Sequence, residues 1–198
     1  MTLSAYVLQI KDWWRAARGN KLFWRGLGLA ALIVLLDQAS KYWIVHGIEL
    51  PRLNKIEISA IFDLSYVENR GASFGMLHGM RWVLSLISIG VALGLGVWLG
   101  KLKRPVAAFG VAFVIGGALG NLYDRLAYGY VVDFLDFSAV PFPNFARIEG
   151  FPFIEVFIGG FIWVFNVADA AINVGIAFLL LDAWRTGRAD KQAEKRAE

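Results

Sequence analysis

The chain has 198 residues, 58% of them apolar and 18% charged, and the charged ones are bunched rather than spread, a composition that argues against a soluble fold. With no cysteine and two histidines, a disulfide framework, a thiol nucleophile and a multi-histidine metal site are excluded, which leaves carboxylates as the available chemistry. The formal charge of +4 does not point to nucleic acid, because the basic residues cluster beside apolar segments with no nucleic-acid motif among them.

Long uncharged runs recur, and a helix needs roughly 20 apolar residues to cross a bilayer core. Residues 1–22 read as an N-terminal interfacial segment. Tyr6 to Trp24 mixes Trp13, Trp14, Phe23 and Trp24 with Lys11, Arg15, Arg18 and Lys21, as a helix lying on anionic lipid would. The first span is expected at Phe23–Val45 and is read as retained, since its long apolar run lacks a small-residue cleavage site. A loop over 46–80 follows, in which the partial alternation of Ile56 to Tyr66 predicts one or two short strands. The second span is expected at Trp82–Leu99 and the third at Pro105–Leu122. In these two, the pairs Gly90/Gly94, Gly96/Gly100 and Gly116/Gly120 read either as faces for close helix approach or as a loose packing preference.

A second loop spans 125–160. From Phe151 to Phe165 the aromatics fall mostly on odd positions around Gly159-Gly160, which predicts a β-hairpin, with one long tilted helix as the alternative. Phe157 and Phe161 would then flank the tip of an outer lid. The fourth span lies inside Phe161–Ala183, and 184–198 form a tail. The expected fold is an all-α polytopic membrane protein, one membrane-embedded domain over 1–198, with four transmembrane helices and a small extracytoplasmic β-sheet or hairpin.

Lys and Arg set the orientation. Residues 1–25 carry five, residues 101–104 three (Lys101, Lys103, Arg104) and the tail five, so 13 of the 20 fall on one side. By the positive-inside rule both termini are expected in the cytoplasm and the two long loops outside.

Ionisable groups within or at the rim of a span are costly, so each is a functional candidate. Asp37 and Lys41, four apart on the first helix, share a face as a structural ion pair or as part of a site. Asn121, Asp124 and Arg125 end the third helix, and Asp133 lies in the apolar run Val131-Val132-Asp133-Phe134. Asp169 precedes Arg185 by about 16 residues, ~24 Å of helix, which puts it in the outer part of a ~30 Å core. Asp133 and Asp169 can therefore meet at one depth. Two carboxylates in a low-dielectric site cannot both ionise easily, so together they supply an acid and a base able to activate water against a peptide bond. Spacing alone leaves this open beside a proton relay or a structural role, although no inverted repeat of the transporter kind is found.

Five segments in order narrow the choice. They are Asp37-Gln38-Ala-Ser-Lys41, Asn69-Arg-Gly71-Ala72-Ser-Phe74-Gly75, Gly116-Gly117-Ala-Leu-Gly120-Asn121-Leu-Tyr-Asp124-Arg125, Val131-Val132-Asp133-Phe134 and Phe165-Asn166-Val-Ala168-Asp169. This series resembles the motifs of the lipoprotein signal peptidase (signal peptidase II) family. The resemblance implies a bacterial inner-membrane aspartyl endopeptidase that removes the signal peptide of diacylglyceryl-modified prolipoproteins on the amino side of the lipidated cysteine. It implies Asp133 and Asp169 as the catalytic pair, Asn69, Gly71, Asn121, Arg125 and Asn166 as pocket residues, and Asp37, Lys41 and Asp124 as supporting groups. No cofactor or metal is expected; the partners are the prolipoprotein and the phospholipid membrane, not nucleic acid, and the chain is expected to act as a monomer. Ser73 stands where the family usually has Ala. The 35 residues between Asp133 and Asp169 are longer than usual, and Phe161-Ile-Trp-Val replaces the usual proline-containing approach. The orientation is testable: a reporter active only in the cytoplasm is expected to be active after Glu198 and silent in the 46–80 loop. The reverse pattern inverts the topology.

Overall fold

The computed structural model describes residues 3–71, 80–137 and 164–197. Its order is α1 (Leu3–Gly19), α2 (Lys21–Tyr42) running into a π-helical turn (Trp43–Gly47), α3 (Leu50–Leu53), β1 (Lys55–Glu57), β2 (Asp63–Asn69), α4 (Arg81–Leu99), α5 (Pro105–Ala127), β3 (Val131–Asp136), β4 (Val164–Phe165) and α6 (Val167–Ala197). Among the described residues four helices are long and apolar enough to cross a membrane: Lys21–Gly47, Arg81–Leu99, Pro105–Ala127 and Val167–Arg188. Large apolar side chains such as Leu35, Leu86, Leu93 and Leu180 stand exposed on them, the expected state of a surface whose solvent is lipid.

The third of these helices is central. Of its most apolar stretch 67% is buried inside the protein, against 28%, 11% and 22% for the first, second and fourth, and α2, α4 and α6 all pack on it. It runs past the expected end at Leu122 to Ala127. Nothing breaks it earlier, and its turn out comes at Gly129, whose φ of +87° suits a residue without Cβ.

The expected interfacial segment divides. Helix α1 stops at Gly19, and Asn20 caps α2 by accepting the Leu22 N–H at 3.0 Å. Lys21, Phe23 and Trp24 therefore form the first turn of the first span. The Asn20 amide also donates to the carbonyls of Gly100 (3.3 Å) and Leu102 (2.8 Å), and the Trp13 indole donates to Val97 O at 3.0 Å. Helix α1 is thereby tied to the α4–α5 turn, over a core of Ala17, Phe23, Leu99, Leu102 and Ala108.

The four strands form one antiparallel sheet in the order β1-β2-β3-β4. Where one or two short strands are expected over Ile56–Tyr66, there are two, β1 and β2, and β2 runs on to Asn69. An irregularity between Leu64 and Val67 shifts the register so that Val67 faces Asp133 and Asn69 faces Val131. Asn69 and Asp133 then lie diagonally on one face. Of the hairpin expected over Phe151–Phe165, only Val164 and Phe165 are among the described residues, and they form β4 against Leu135 and Asp136. Phe157, Phe161, Gly159-Gly160 and Ser73 lie outside the described residues.

The glycine pairs separate by helix. A Cβ at Gly90, Gly94 or Gly96 would meet nothing within 4 Å, because α4 is the least buried span and turns these residues outward; Gly100 instead makes room for Trp13 and Ala17 of α1. On α5 the glycines admit neighbours closely. A Cβ at Gly116 would sit 2.7 Å from Ile33, one at Gly120 would sit 2.6 Å from the Asp37 carboxylate, and one at Gly117 would strike the Ala168 carbonyl. Gly110 and Gly175 face each other across the α5–α6 crossing, a Cβ on either lying within 2.9 Å of the other's carbonyl oxygen. Gly110→Leu is therefore expected to destabilise the protein by about 1–3 kcal/mol or more through overpacking, whereas Gly94→Leu stays near neutral. Thermal unfolding in detergent checks this, and equal effects at the two positions would contradict the crossing.

Candidate active site

The site forms where α6 begins. Asn166, just ahead of the helix, accepts the Asp169 N–H on Oδ1 at 3.0 Å, while its own N–H donates to Asp169 Oδ2 at 3.3 Å. This is a reciprocal capping box, and it fixes the Asp169 carboxylate over the first turn, at the positive end of the helix dipole. The next free donor, Ala168 N–H, is taken by Asp37 Oδ1 at 3.0 Å, so α2 also caps α6.

Asp133 arrives from β3, whose residues Val131 to Phe134 are all buried. Its Oδ1 accepts from Asn166 Nδ2 at 2.6 Å and its Oδ2 from Asn69 Nδ2 at 2.9 Å. Asn121, on α5, donates to Asp169 Oδ1 at 2.7 Å and accepts from Asn166 Nδ2 at 3.1 Å. One side chain, Asn166, thus touches the surroundings of both acids. Burial, and after it the charge of Asp169, push the Asp133 carboxyl up to about 7, although the two amides donating to it pull the other way.

Behind this pair lies a charged cluster. Lys41 Nζ stands 2.8 Å from Asp37 Oδ2, 2.8 Å from Asp124 Oδ2 and 3.3 Å from Asn121 Oδ1. Asp37, Lys41 and Asp124 are no more than 4% exposed. Gln38 adds its amide to Asp124 Oδ1 (2.8 Å), to Asp37 Oδ2 (3.1 Å) and to the Gly120 carbonyl (3.3 Å). Asp124 also accepts the Val132 N–H at 3.2 Å, fixing the start of β3.

All ten residues singled out in the sequence are among those described. Asn69, Asn121, Asp133, Asn166 and Asp169 form one hydrogen-bonded set, and Asp37, Lys41 and Asp124 join it through Asn121 and Ala168. Gly71 is buried behind Asn69, donating its N–H to Asn69 Oδ1 at 3.1 Å. Arg125 is half-buried within electrostatic reach of Asp124, Asp133 and Asp169, and its guanidinium donates to Asn121 O at 3.4 Å. Among the described residues no group of three or more His, Asp or Glu is placed to hold a metal ion.

A family model described as Signal peptidase (SPase) II matches residues 29–185. The chain belongs to the signal peptidase II family. Similar relatives named lipoprotein signal peptidase include one from Caulobacter vibrioides, 43% identical over 81% of this chain and 87% of its own, and one from Brevibacillus brevis, 38% identical over 82% and 97%. Two solved bacterial membrane enzymes, determined by the in meso method at 2.3 and 1.9 Å, share the fold with TM-scores of 0.63 and 0.60. They cover 81% and 80% of this chain and 88% and 92% of their own, at 23% identity. As a signal peptidase II relative, the chain is a multi-pass bacterial membrane protein of a peptidase family, and the match spans the whole hydrogen-bonded set.

Two members of that set are not singled out by the sequence as site residues. Gln38 stands in the first motif, but weighing only the charged groups in the spans leaves it aside; its place beside Asp37 on a lipid-embedded helix is the available signal. The Ala168 N–H is a backbone group with no side-chain signal. Lys41→Met would leave two carboxylates buried without their cation, and loss of one partner of such a pair costs about 3–5 kcal/mol. A large fall in thermal unfolding temperature is expected in detergent, with Asp37→Asn added to Lys41→Met recovering part of it. A Lys41→Met protein as stable as wild type would make the cluster structurally idle.

Proposed function

We propose that the chain is a membrane aspartyl endopeptidase that removes the signal peptide from diacylglyceryl-modified prolipoproteins, cleaving on the amino side of the lipidated cysteine. Family membership supports the substrate class. The observation that carries the mechanism is the Asn166 side chain, bonded at once to Asp133 and to the backbone N–H of Asp169, which gathers two acids into one poorly solvated site.

In this reading the pair shares a proton. Asp133, raised to about 7, is taken as the acid and Asp169, on the first turn of α6, as the base, the two titrating as one unit. The Asp169 carboxylate takes a proton from water as the water oxygen attacks the scissile carbonyl carbon. Asp133 donates its proton to the leaving amide nitrogen, the C–N bond breaks, and the new carboxyl group keeps the water oxygen. The two steps need neither a side-chain nucleophile nor a metal. Asn69, Asn121 and Asn166 orient the acids, Gly71 backs Asn69, and the Asp37–Lys41–Asp124 cluster and Arg125 support them. The chain is taken as a single domain over residues 1–198 and a monomer, with both termini cytoplasmic and the site near the outer face of the inner membrane.

Asp133→Asn and Asp169→Asn are each expected to lower cleavage of a diacylglyceryl-modified prolipoprotein by at least about a hundredfold while leaving the protein folded. Since the acid must carry its proton, wild-type cleavage is expected to fall as pH rises through about 7, a limb that belongs to the pair rather than to one residue. A gel-shift assay across pH reads both. Turnover within a few fold of wild type in either variant removes that residue from the dyad.

A further inference from the structure

The family match begins at residue 29, so helix α1 and the first turn of α2 lie outside it, and the proposed hydrolysis uses neither. Helix α1 is nevertheless held in a fixed place. The Trp13 indole donates to Val97 O and the Asn20 amide to the carbonyls of Gly100 and Leu102, while Gly100 leaves room for Trp13 and Ala17. Val97 lies in the last turn of the second span, with Gly100 and Leu102 just after it. This fixes α1 at the depth where that span ends.

Viewed down its axis, α1 has three sides at 3.6 residues per turn. Trp13 and Ala17 form the docked side. Val7, Ile10 and Trp14 lie roughly 70° round from it and are 43%, 64% and 46% exposed. Lys11, Arg15 and Arg18 come next, roughly 150° from the docked side, and all three are exposed. An apolar side rimmed by cations is the order that a helix lying in a lipid interface requires.

Helix α2 extends the same surface. Trp24 stands 6.5 Å from Trp14 at 74° and is 52% exposed, and its indole donates to Arg18 O at 3.0 Å, joining the two helices. Lys21 and Arg25, four apart on one face of α2, are exposed as well. Residues 1–25 hold five basic side chains against one acid, and that acid, Asp12, is already paired with Arg15 at 3.4 Å. Among the described residues no carboxylate is paired with Lys11, Arg18, Lys21 or Arg25. Basic residues beside a span set its orientation wherever they fall, and that task alone requires neither a docked helix nor two exposed tryptophans among them.

We propose that α1 and the first turn of α2 together bind the headgroups of anionic phospholipids, with Lys11, Arg18, Lys21 and Arg25 on the phosphates and Ile10, Trp14 and Trp24 seated at the top of the acyl chains. The partner is a lipid rather than a free anion because the cations border an apolar surface at the depth of a span end. The site needs the membrane placement of the spans and neither the proposed orientation nor the proposed hydrolysis, so cleavage assays and lipid binding report separately.

Two measurements on the full chain test it. In native mass spectrometry after release from nanodiscs that hold equal amounts of phosphatidylglycerol and phosphatidylcholine, the anionic lipid is expected to be retained over the neutral one by at least about threefold. Arg18→Gln with Lys21→Gln is expected to cut this enrichment about two- to fivefold, whereas Arg185→Gln with Arg188→Gln, an equal loss of charge at the far end of α6, leaves most of it. The chain has no cysteine, so a spin label can be placed through Ile10→Cys or Asp12→Cys. The first label is expected to be relaxed mainly by oxygen dissolved in the lipid and the second mainly by a water-soluble nickel complex. The labels and the wild-type ratio read the site even where a charge variant fails to fold. Equal retention of the two lipids, equal loss in the two double variants, or a label at position 10 as open to nickel as the one at position 12 overturns the assignment.

Discussion

A helix that begins away from water has N–H groups that must be satisfied by the protein itself, and α6 begins at Asn166 and Ala168, both wholly buried. Three of these donors are answered by Asn166 Oδ1, Asp169 Oδ2 and Asp37 Oδ1. The rest of the structure follows from that requirement. Satisfying it places one carboxylate on the first turn of α6, brings α2 against the same turn, and leaves the Asn166 amide nitrogen pointing at β3 and Asp133. Capping and the proposed chemistry use the same side chains, so the acids are positioned by bonds that the helix needs in any case.

Close approach of helices is the second condition. Asn121 reaches Asp169 because Gly117 and Gly120 on α5 leave room for the Ala168 carbonyl and the Asp37 carboxylate. With lipid on the outside there is little hydrophobic force between spans, and small residues let backbone contact and polar bonds take its place. Central α5 carries Asn121, Asp124 and Arg125 at the end nearest the site, where each finds a partner rather than lipid.

The four spans are legible in the sequence because an uncharged run of that length matches the bilayer core and little else. Their ends are less so. Asn121, Asp124 and Arg125 read as the edge of a span, yet they continue the helix because they bond inside the protein. Strands β1 and β2 declare themselves by partial alternation, whereas β3 is buried on both faces from Val131 to Phe134, and alternation vanishes when neither face meets water. The glycine pairs of α4 have the same spacing as those of α5, and spacing alone does not say which face turns inward. The depth of Asp169 can be counted along its helix. The choice of Asp133 as its partner comes from the series of motifs, since the register that brings β3 to the site depends on the irregularity in β2.

The Asp37–Lys41 pair also bears on biosynthesis. The first span is made some 80 residues before Asp124 and well before α6 exists, so its two ionisable groups enter the bilayer without Asn121, Asp124 or the Ala168 N–H. At a separation of four on one helix, with 2.8 Å between them, they can neutralise each other within that helix alone. The span thus presents itself to the insertion machinery as a unit without net charge at that depth, although a lone Asp or Lys at the centre of a segment raises the insertion free energy by about 2.5–3.5 kcal/mol. Later segments then recruit a pair that is already in place.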